Sequence, residues 1–298
     1  MNDIVYCTDQ NYIPHMVVSI KSLLINNQDN FYNIHIIHNS INSVTWKMII
    51  SLGNNNCNFI NHEIDNFLFA NHPTGLHFTS AIYFRLLIPD IIKSDKALYL
   101  DSDTIICGDL NEVINIDLEN NLIGAVSDPY PNANKYKLLG LKIDKYFNSG
   151  VMLMNLKLMR DNFIKDKVLK FISNNPNLIE FGDQDALNVI TNNKWIPLHP
   201  KFNLQTSFFY AGNNLLRFCF LLNDLNYAIK HPTIIHFTES SKPWHFSNKH
   251  PYKKLYWKYR NLTYYKSLVA DDFSFLMFSK YLLPTFVKRF IRYFRTHL

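Results

Sequence analysis

The chain is predicted to be an α/β protein: one domain on a mixed, mainly parallel central sheet over residues 1–265, then a helical, basic-aromatic extension over 266–298. Three observations predict this. Short apolar runs alternate with helix-spaced segments from residue 4 to residue 60, polar clusters follow the runs directly, and acidic residues stop after Asp272. Taken in order, Ile4 to Cys7 is a buried strand ending in Thr8-Asp9-Gln10-Asn11. Val17 to Asn26 has helical spacing, Asn33 to His38 is a second strand, and Val44 to Leu52 is a helix with Trp46, Ile49 and Ile50 on one face. Asn58 to Ile60 is a third strand. Strand, helix, strand, helix, strand is the pattern of a parallel sheet wound with helices. Thr79 to Leu87 is helical and leads to the strand Ala97–Leu100. Leu122 to Ser127 is another strand, and Val151 to Asn155 is an apolar run opened by Asn148-Ser149-Gly150. Asp183 is placed as the N-cap of a helix running from Gln184 to Thr191.

The 298 residues suffice for a large core, and 47% hydrophobic with 18% charged residues is a globular composition. Eight glycines, and Thr8-Asp9-Gln10-Asn11 where a dinucleotide fold needs G-x-G-x-x-G, argue against a nucleotide-dependent oxidoreductase. The net charge of +6 does not indicate a nucleic-acid surface. Much of it lies after Asp272, in Lys280, Lys288, Arg289, Arg292 and Arg295, while the middle of the chain is nearly balanced. Cys7, Cys57, Cys107 and Cys219 have neither zinc-site nor disulfide-scaffold spacing; Cys7 and Cys107, in predicted strands, read as buried free thiols. Met1 to Tyr6 lacks the basic start of a signal peptide, and no apolar run reaches the ~20 residues of a membrane span, so a cytoplasmic location is expected.

The chemistry-bearing feature is Asp101-Ser102-Asp103, at the end of the apolar run Ala97-Leu98-Tyr99-Leu100. Two carboxylates there need a cation or strong donors to offset desolvation. Hard oxygens suit Mg2+ or Mn2+, whose open positions take phosphate. His236 ends a second short run, Ile234-Ile235, and Lys242 follows six residues on. Together they offer an imidazole ligand and a cation for phosphate in one loop. The imidazole favours Mn2+, with Mg2+ as the alternative.

Further segments complete an ordered set: Asp9 and Asn11 after the first strand, HFTSAIYFRL with His77 and Arg85, LYLDSDTI, YFNSGVMLMNL, FGDQDALN, and IHFTESSKPWH. In this order they resemble the family 8 glycosyltransferases of bacterial lipopolysaccharide assembly. The likeness covers about residues 3–265, and HPYKKLYWKY is similar to the core glucosyl- and galactosyltransferases of that group.

The resemblance implies a GT-A fold and transfer of a hexose, with retention of configuration, from a UDP-sugar in the presence of Mn2+. It implies that Asp101, Asp103 and His236 ligate the metal, and that Asp9 and Asn11 meet the uridine-ribose side of the donor. Lys242 neutralises the diphosphate. Arg85, Asn148, Asp183 and Gln184 surround the donor sugar, and His77 and Ser102 complete the donor set. Glu239 stands where the family often has glycine, so either its side chain points outward or its loop takes another path. An alternative is a non-catalytic glycan-binding relative. Gln184, an amide, is a poor nucleophile. Retention is therefore read as attack on the face the UDP leaves, with the Gln184 amide oxygen steadying the sugar and Asp183 beside it.

In a helix over 286–298, Phe286, Val287, Phe290, Ile291, Tyr293 and Phe294 fall on one arc and Lys288, Arg289, Arg292 and Arg295 on the other. That predicts an anionic membrane surface as partner, at the inner face of the inner membrane beside a lipid-linked oligosaccharide acceptor.

Overall fold

A computed structural model describes residues 2–53, 55–65, 68–69, 80–129, 133–210, 216–217 and 219–274. His77 and the helix expected over 286–298 lie outside these residues. The first five elements follow the predicted order: β1 (Asn2–Thr8), α1 (Ile13–Asn26), β2 (Tyr32–His38), α2 (Ser43–Ile50) and β3 (Cys57–Glu63). Helix α1 begins about one turn before the hydrophobic spacing suggests. Pro14 occupies its first turn, where the missing N–H costs nothing. Asn42 caps α2 by accepting from the Thr45 N–H at 2.9 Å. Only part of the expected apolar face of α2 is covered: Ile49 is buried, whereas Ile50 is exposed.

The later strands are β4 (Lys96–Leu100), β5 (Thr104–Ile106), β6 (Ile123–Ser127), β7 (Phe147–Asn155), β8 (Trp195–Pro197), β9 (Leu204–Gln205) and β10 (Ile234–His236). The main sheet has the order β3-β2-β1-β4-β7-β6-β8. Strands β1 to β4 pair in parallel, and β7 runs antiparallel to both neighbours. A smaller sheet has the order β5-β10-β9.

Both faces of the main sheet are covered, so its central strands read as unbroken apolar runs. Ile4, Tyr6, Leu98 and Leu100 pack on α1 residues such as Met16, Ile20 and Leu23. Val5, Cys7, Ala97 and Tyr99 face the other way, against Tyr83, Phe84 and Leu86. The segment expected as a helix from Thr79 is instead a 3-10 helix, Ser80–Leu87. The chain then restarts as the short helix Ile88–Ile91, with Pro89 in its first turn, where no donor is needed. Cys107 falls just beyond β5 rather than in it, and Cys7 and Cys107 are both free thiols.

This topology gathers the polar segments. Tyr6 of β1 is in register with Leu100 of β4, so Asp9 and Asp101 leave the same edge. Because β7 is antiparallel, its N-terminal end, with Asn148 and Ser149, comes to that same edge. The Asp101 N–H donates to the Gly150 carbonyl at 2.7 Å. Strand β10 pairs antiparallel with β5, setting His236 opposite Thr104.

Candidate active site and metal centre

A cavity of about 850 Å3 opens at this edge, lined by Asp9, Asn11, Asp101, Asp103, Gln184 and Lys242 among others. On its floor, one ligand atom each of Asp101, Asp103 and His236 lie within 4.8 Å of one another. His236 Nε2 is 3.2 Å from Asp103 Oδ1 and 3.6 Å from Asp101 Oδ2. The other oxygen of each carboxylate is held by the chain. Asp101 Oδ1 accepts from the Tyr99 hydroxyl and sits 3.2 Å from Arg85 Nη2. Asp103 Oδ2 accepts from Lys242 Nζ at 2.7 Å. Burial raises both carboxyl pKa values, but neighbouring cations more than offset it: Lys242 and then His236 for Asp103, Arg85 and then His236 for Asp101. Both are held below the usual carboxylate range. The same carboxylates, Asp103 first, outweigh desolvation at His236 and push it up to about 9.

These residues fit a divalent cation on two counts. The donor set is two carboxylates and an imidazole, and space is kept clear by a glycine. A Cβ on Gly150 would fall 2.1 Å from His236 Cε1 and 2.5 Å from Asp101 Oδ2, so no other residue fits without moving the cluster.

Arg85 is buried, not a surface arginine, and organises the wall behind the cluster. Its Nη1 donates to the Ser149 carbonyl at 2.8 Å and to Ser149 Oγ at 3.0 Å, and its guanidinium lies over the Tyr99 ring at 4.8 Å. Its Nε is 3.2 Å from Asp183 Oδ2, yet that N–H is directed at the Ile82 carbonyl, 3.1 Å away. Asp183 Oδ2 thus receives charge without a hydrogen bond, and burial carries the carboxyl up to about 7 although Arg85 offsets part of the rise. Asp183 is not the helix cap. Gly182, at φ 58°, holds that position and Asp183 is the first residue of the helix Asp183–Ile190. A positive φ there disfavours a side chain, which pushes the carboxylate one position on.

Gln184 is fixed at both ends of its amide. Its Oε1 accepts from the Ser149 N–H at 3.0 Å and from Asn148 Nδ2 at 3.3 Å. Its Nε2 donates to Asp128 Oδ2 and to the Tyr146 hydroxyl, both at 3.1 Å. The oxygen expected to face a sugar is therefore shared with donors of the chain. Asp9 Oδ1 accepts from the Asn11 and Tyr12 N–H groups at 2.9 and 3.1 Å, tying down the turn into α1. Asn11 is exposed on the cavity wall, and the Ser102 hydroxyl donates to the Cys7 carbonyl at 3.3 Å. Glu239 is half-buried on the cavity wall rather than turned to solvent, with burial raising its pKa against the pull of Lys242.

The structure adds site residues that the sequence did not single out. Asp128 meets Asn148 and Gln184, Tyr99 holds Asp101, and Asn203 meets His236 at 3.0 Å. Tyr12 brings an aromatic ring to the cavity wall beside Asn11, edge-on to Trp244. Tyr99 had a local signal, since strand residues two apart share a face and Asp101 is two beyond it.

The chain is similar in sequence and in fold to known proteins. A sequence model for glycosyl transferase family 8 matches residues 3–248. General stress protein A of Bacillus subtilis is 30% identical over 281 residues, covering 89% of this chain and 95% of that protein. Glycosyltransferase GlyF of Streptococcus pneumoniae is 29% identical over 87% of this chain, which spans 61% of that longer protein. The lipopolysaccharide 1,2-glucosyltransferase of Escherichia coli is 27% identical over 85% of this chain and 76% of its own length. The galactosyltransferase LgtC, solved with donor and acceptor sugar analogues, superposes with a TM-score of 0.78 at 24% identity, over 91% of this chain and 98% of that one. The fold is thus the GT-A-like α/β arrangement with a mixed sheet.

Proposed function

This chain belongs to glycosyl transferase family 8, and from that premise we propose that it moves a hexose, glucose or galactose, from a UDP-sugar to a sugar of a lipopolysaccharide or lipooligosaccharide core, with retention of configuration. The observation that carries this reading is the Asp101–Asp103–His236 cluster on the floor of a cavity large enough for a nucleotide sugar. We assign Mn2+, with Mg2+ as the alternative, to these three residues. When bound, the cation supplies positive charge to the diphosphate leaving group. Lys242 adds a fixed ammonium at the same place, and Asp9 and Asn11 stand where the nucleoside enters. Arg85 and Asp183 set the wall on which the sugar rests. A panel of UDP-sugars with Mn2+, scored by UDP release and by the mass added to an acceptor, tests the assignment. Absence of UDP release across the panel would favour a non-catalytic glycan-binding relative, for which Glu239 on the cavity wall is the supporting observation.

Retention without a covalent intermediate suits Gln184, whose amide is held by Ser149 and Asp128 beside the cavity. The acceptor oxygen bonds to the anomeric carbon on the face the UDP vacates as the bond to the diphosphate breaks, the hydroxyl proton passes to the departing diphosphate, and Gln184 orients the sugar. Gln184→Ala is expected to slow transfer by about 10- to 100-fold without abolishing it, because an orienting amide contributes less than a nucleophile. Steady-state kinetics check the magnitude. Trapping a hexosyl-enzyme on the wild-type chain would overturn front-face attack.

We place the protein at the inner face of the inner membrane, next to a lipid-linked acceptor. Among the described residues no helix is long and apolar enough to cross a membrane. No acidic residue stands between Glu239 and Asp271 or after Asp272. In the first of these stretches, Leu262, Tyr264, Leu268 and Val269 are exposed among Lys254, Lys258 and Lys266. Each basic residue near an anionic surface contributes on the order of 1 kcal/mol, screened by salt. Deleting 285–298 is expected to reduce co-sedimentation with anionic vesicles while leaving turnover of a short water-soluble acceptor nearly unchanged. Loss of that turnover would make the segment part of the catalytic domain.

A further inference from the structure

Asn203, fully buried between the 3-10 turn Pro200–Phe202 and β9, touches the metal centre and has no part in the reading above. Its amide joins two other side chains. Oδ1 lies 3.0 Å from His236 Nδ1, and Nδ2 donates to Asn148 Oδ1 at 3.0 Å. Side-chain amides can be turned end for end, but here two backbone groups remove that freedom. The Gly150 N–H donates to Asn148 at 3.1 Å, which fixes that end of Asn148 as its oxygen. The Ser149 N–H donates to Gln184, which fixes the Gln184 oxygen, and the Asn148 amide nitrogen faces that oxygen. The end of Asn203 that meets the Asn148 oxygen must then be its nitrogen. The end that meets His236 must be its oxygen, which only accepts.

A proton is therefore required on Nδ1 of His236, and Nε2 is the nitrogen left toward Asp101 and Asp103. Coupling of this kind between a ligating imidazole and an outer acceptor fixes both tautomer and ring plane. We propose that Asn203 is a positioning residue: it sets the His236 tautomer for cation binding, and through Asn148 it links that ligand to the Gln184 amide beside the donor sugar. The proposal rests on the metal reading made above, and the two fail separately.

The test is Mn2+ affinity, measured by calorimetry or by the free-ion electron paramagnetic resonance signal, without turnover. If wild type does not bind Mn2+, the metal reading itself fails. Given wild-type binding, Asn203→Leu is expected to weaken it about 10- to 100-fold, and Asn203→Asp, which keeps an acceptor for Nδ1–H but loses the donor to Asn148 Oδ1, to weaken it at least about threefold less than Asn203→Leu does. Unchanged affinity in Asn203→Leu, or equal loss in Asn203→Asp, overturns the positioning role. Should Asn203→Leu not fold, long-range 1H–15N spectra of wild type loaded with diamagnetic Mg2+ decide. A ring proton on Nδ1 of His236 supports the assignment, and one on Nε2 overturns it.

Discussion

Asp103→Asn is expected to lower UDP release by on the order of 10^2- to 10^3-fold, the loss typical of removing one preorganised electrostatic contact to the reacting groups, while the fold is retained. The backbone role of this position survives, since the Phe237 N–H donates to the Asp103 carbonyl at 3.1 Å, which asparagine also offers. What is lost is charge. Asp103 neutralises Lys242 on one oxygen and meets His236 with the other. An amide there leaves two cationic groups facing each other and one carboxylate, Asp101, to attract a divalent ion. Chelation of the wild type should reproduce the loss, and added Mn2+ should reverse it. Circular dichroism of the variant separates lost charge from lost fold. Full turnover in excess chelator would end the metal reading, whatever the variant does.

How far the sequence reveals such a site depends on the range of the contacts that build it. Strands buried on both faces leave continuous apolar runs, so β1, β4 and β7 are legible from composition alone. Carboxylates at the end of such a run are legible too, because desolvation makes them costly without a partner. The partner is harder to find. His236 reaches Asp103 only because β10 pairs antiparallel with β5 across more than a hundred residues, and no local pattern encodes that pairing. Its place in the set came from the resemblance and from an apolar run ending in histidine.

Arg85 shows the intermediate case. Its apolar neighbours indicate burial, but the targets of its guanidinium follow from β7 running antiparallel to β4, which brings Ser149 beside Asp101. Asp183 reads as a cap for a local reason: an acidic residue before a helical run looks like a cap unless the positive φ of Gly182 is known. Asn203 and Asp128 carry no signal at all. Each is an ordinary polar residue whose partners, His236, Asn148 and Gln184, are distant in sequence.

Arg85→Met is expected to be the most destabilising of the changes considered, by about 3–5 kcal/mol at pH 8, because it leaves buried carboxylates without their cation. Arg85 is 7% exposed, and its side chain lies 3.2 Å from both Asp101 and Asp183. Asp101 retains Tyr99 and His236. Asp183 has no hydrogen bond on its Oδ2, and burial already carries its pKa to about 7 with Arg85 beside it. Removing Arg85 raises that pKa further. A carboxyl whose folded pKa lies above its unfolded value stabilises the protein most when protonated in both states, and that stability falls as pH rises through the folded value. The penalty of Arg85→Met should therefore grow between pH 5.5 and pH 8, and Asp183→Asn in the same chain should recover part of it at pH 8. Urea unfolding at the two pH values measures both effects. A variant as stable as wild type at pH 8 would mean that Asp183 finds water or another donor, and that Arg85 serves the sugar site without holding the wall behind it.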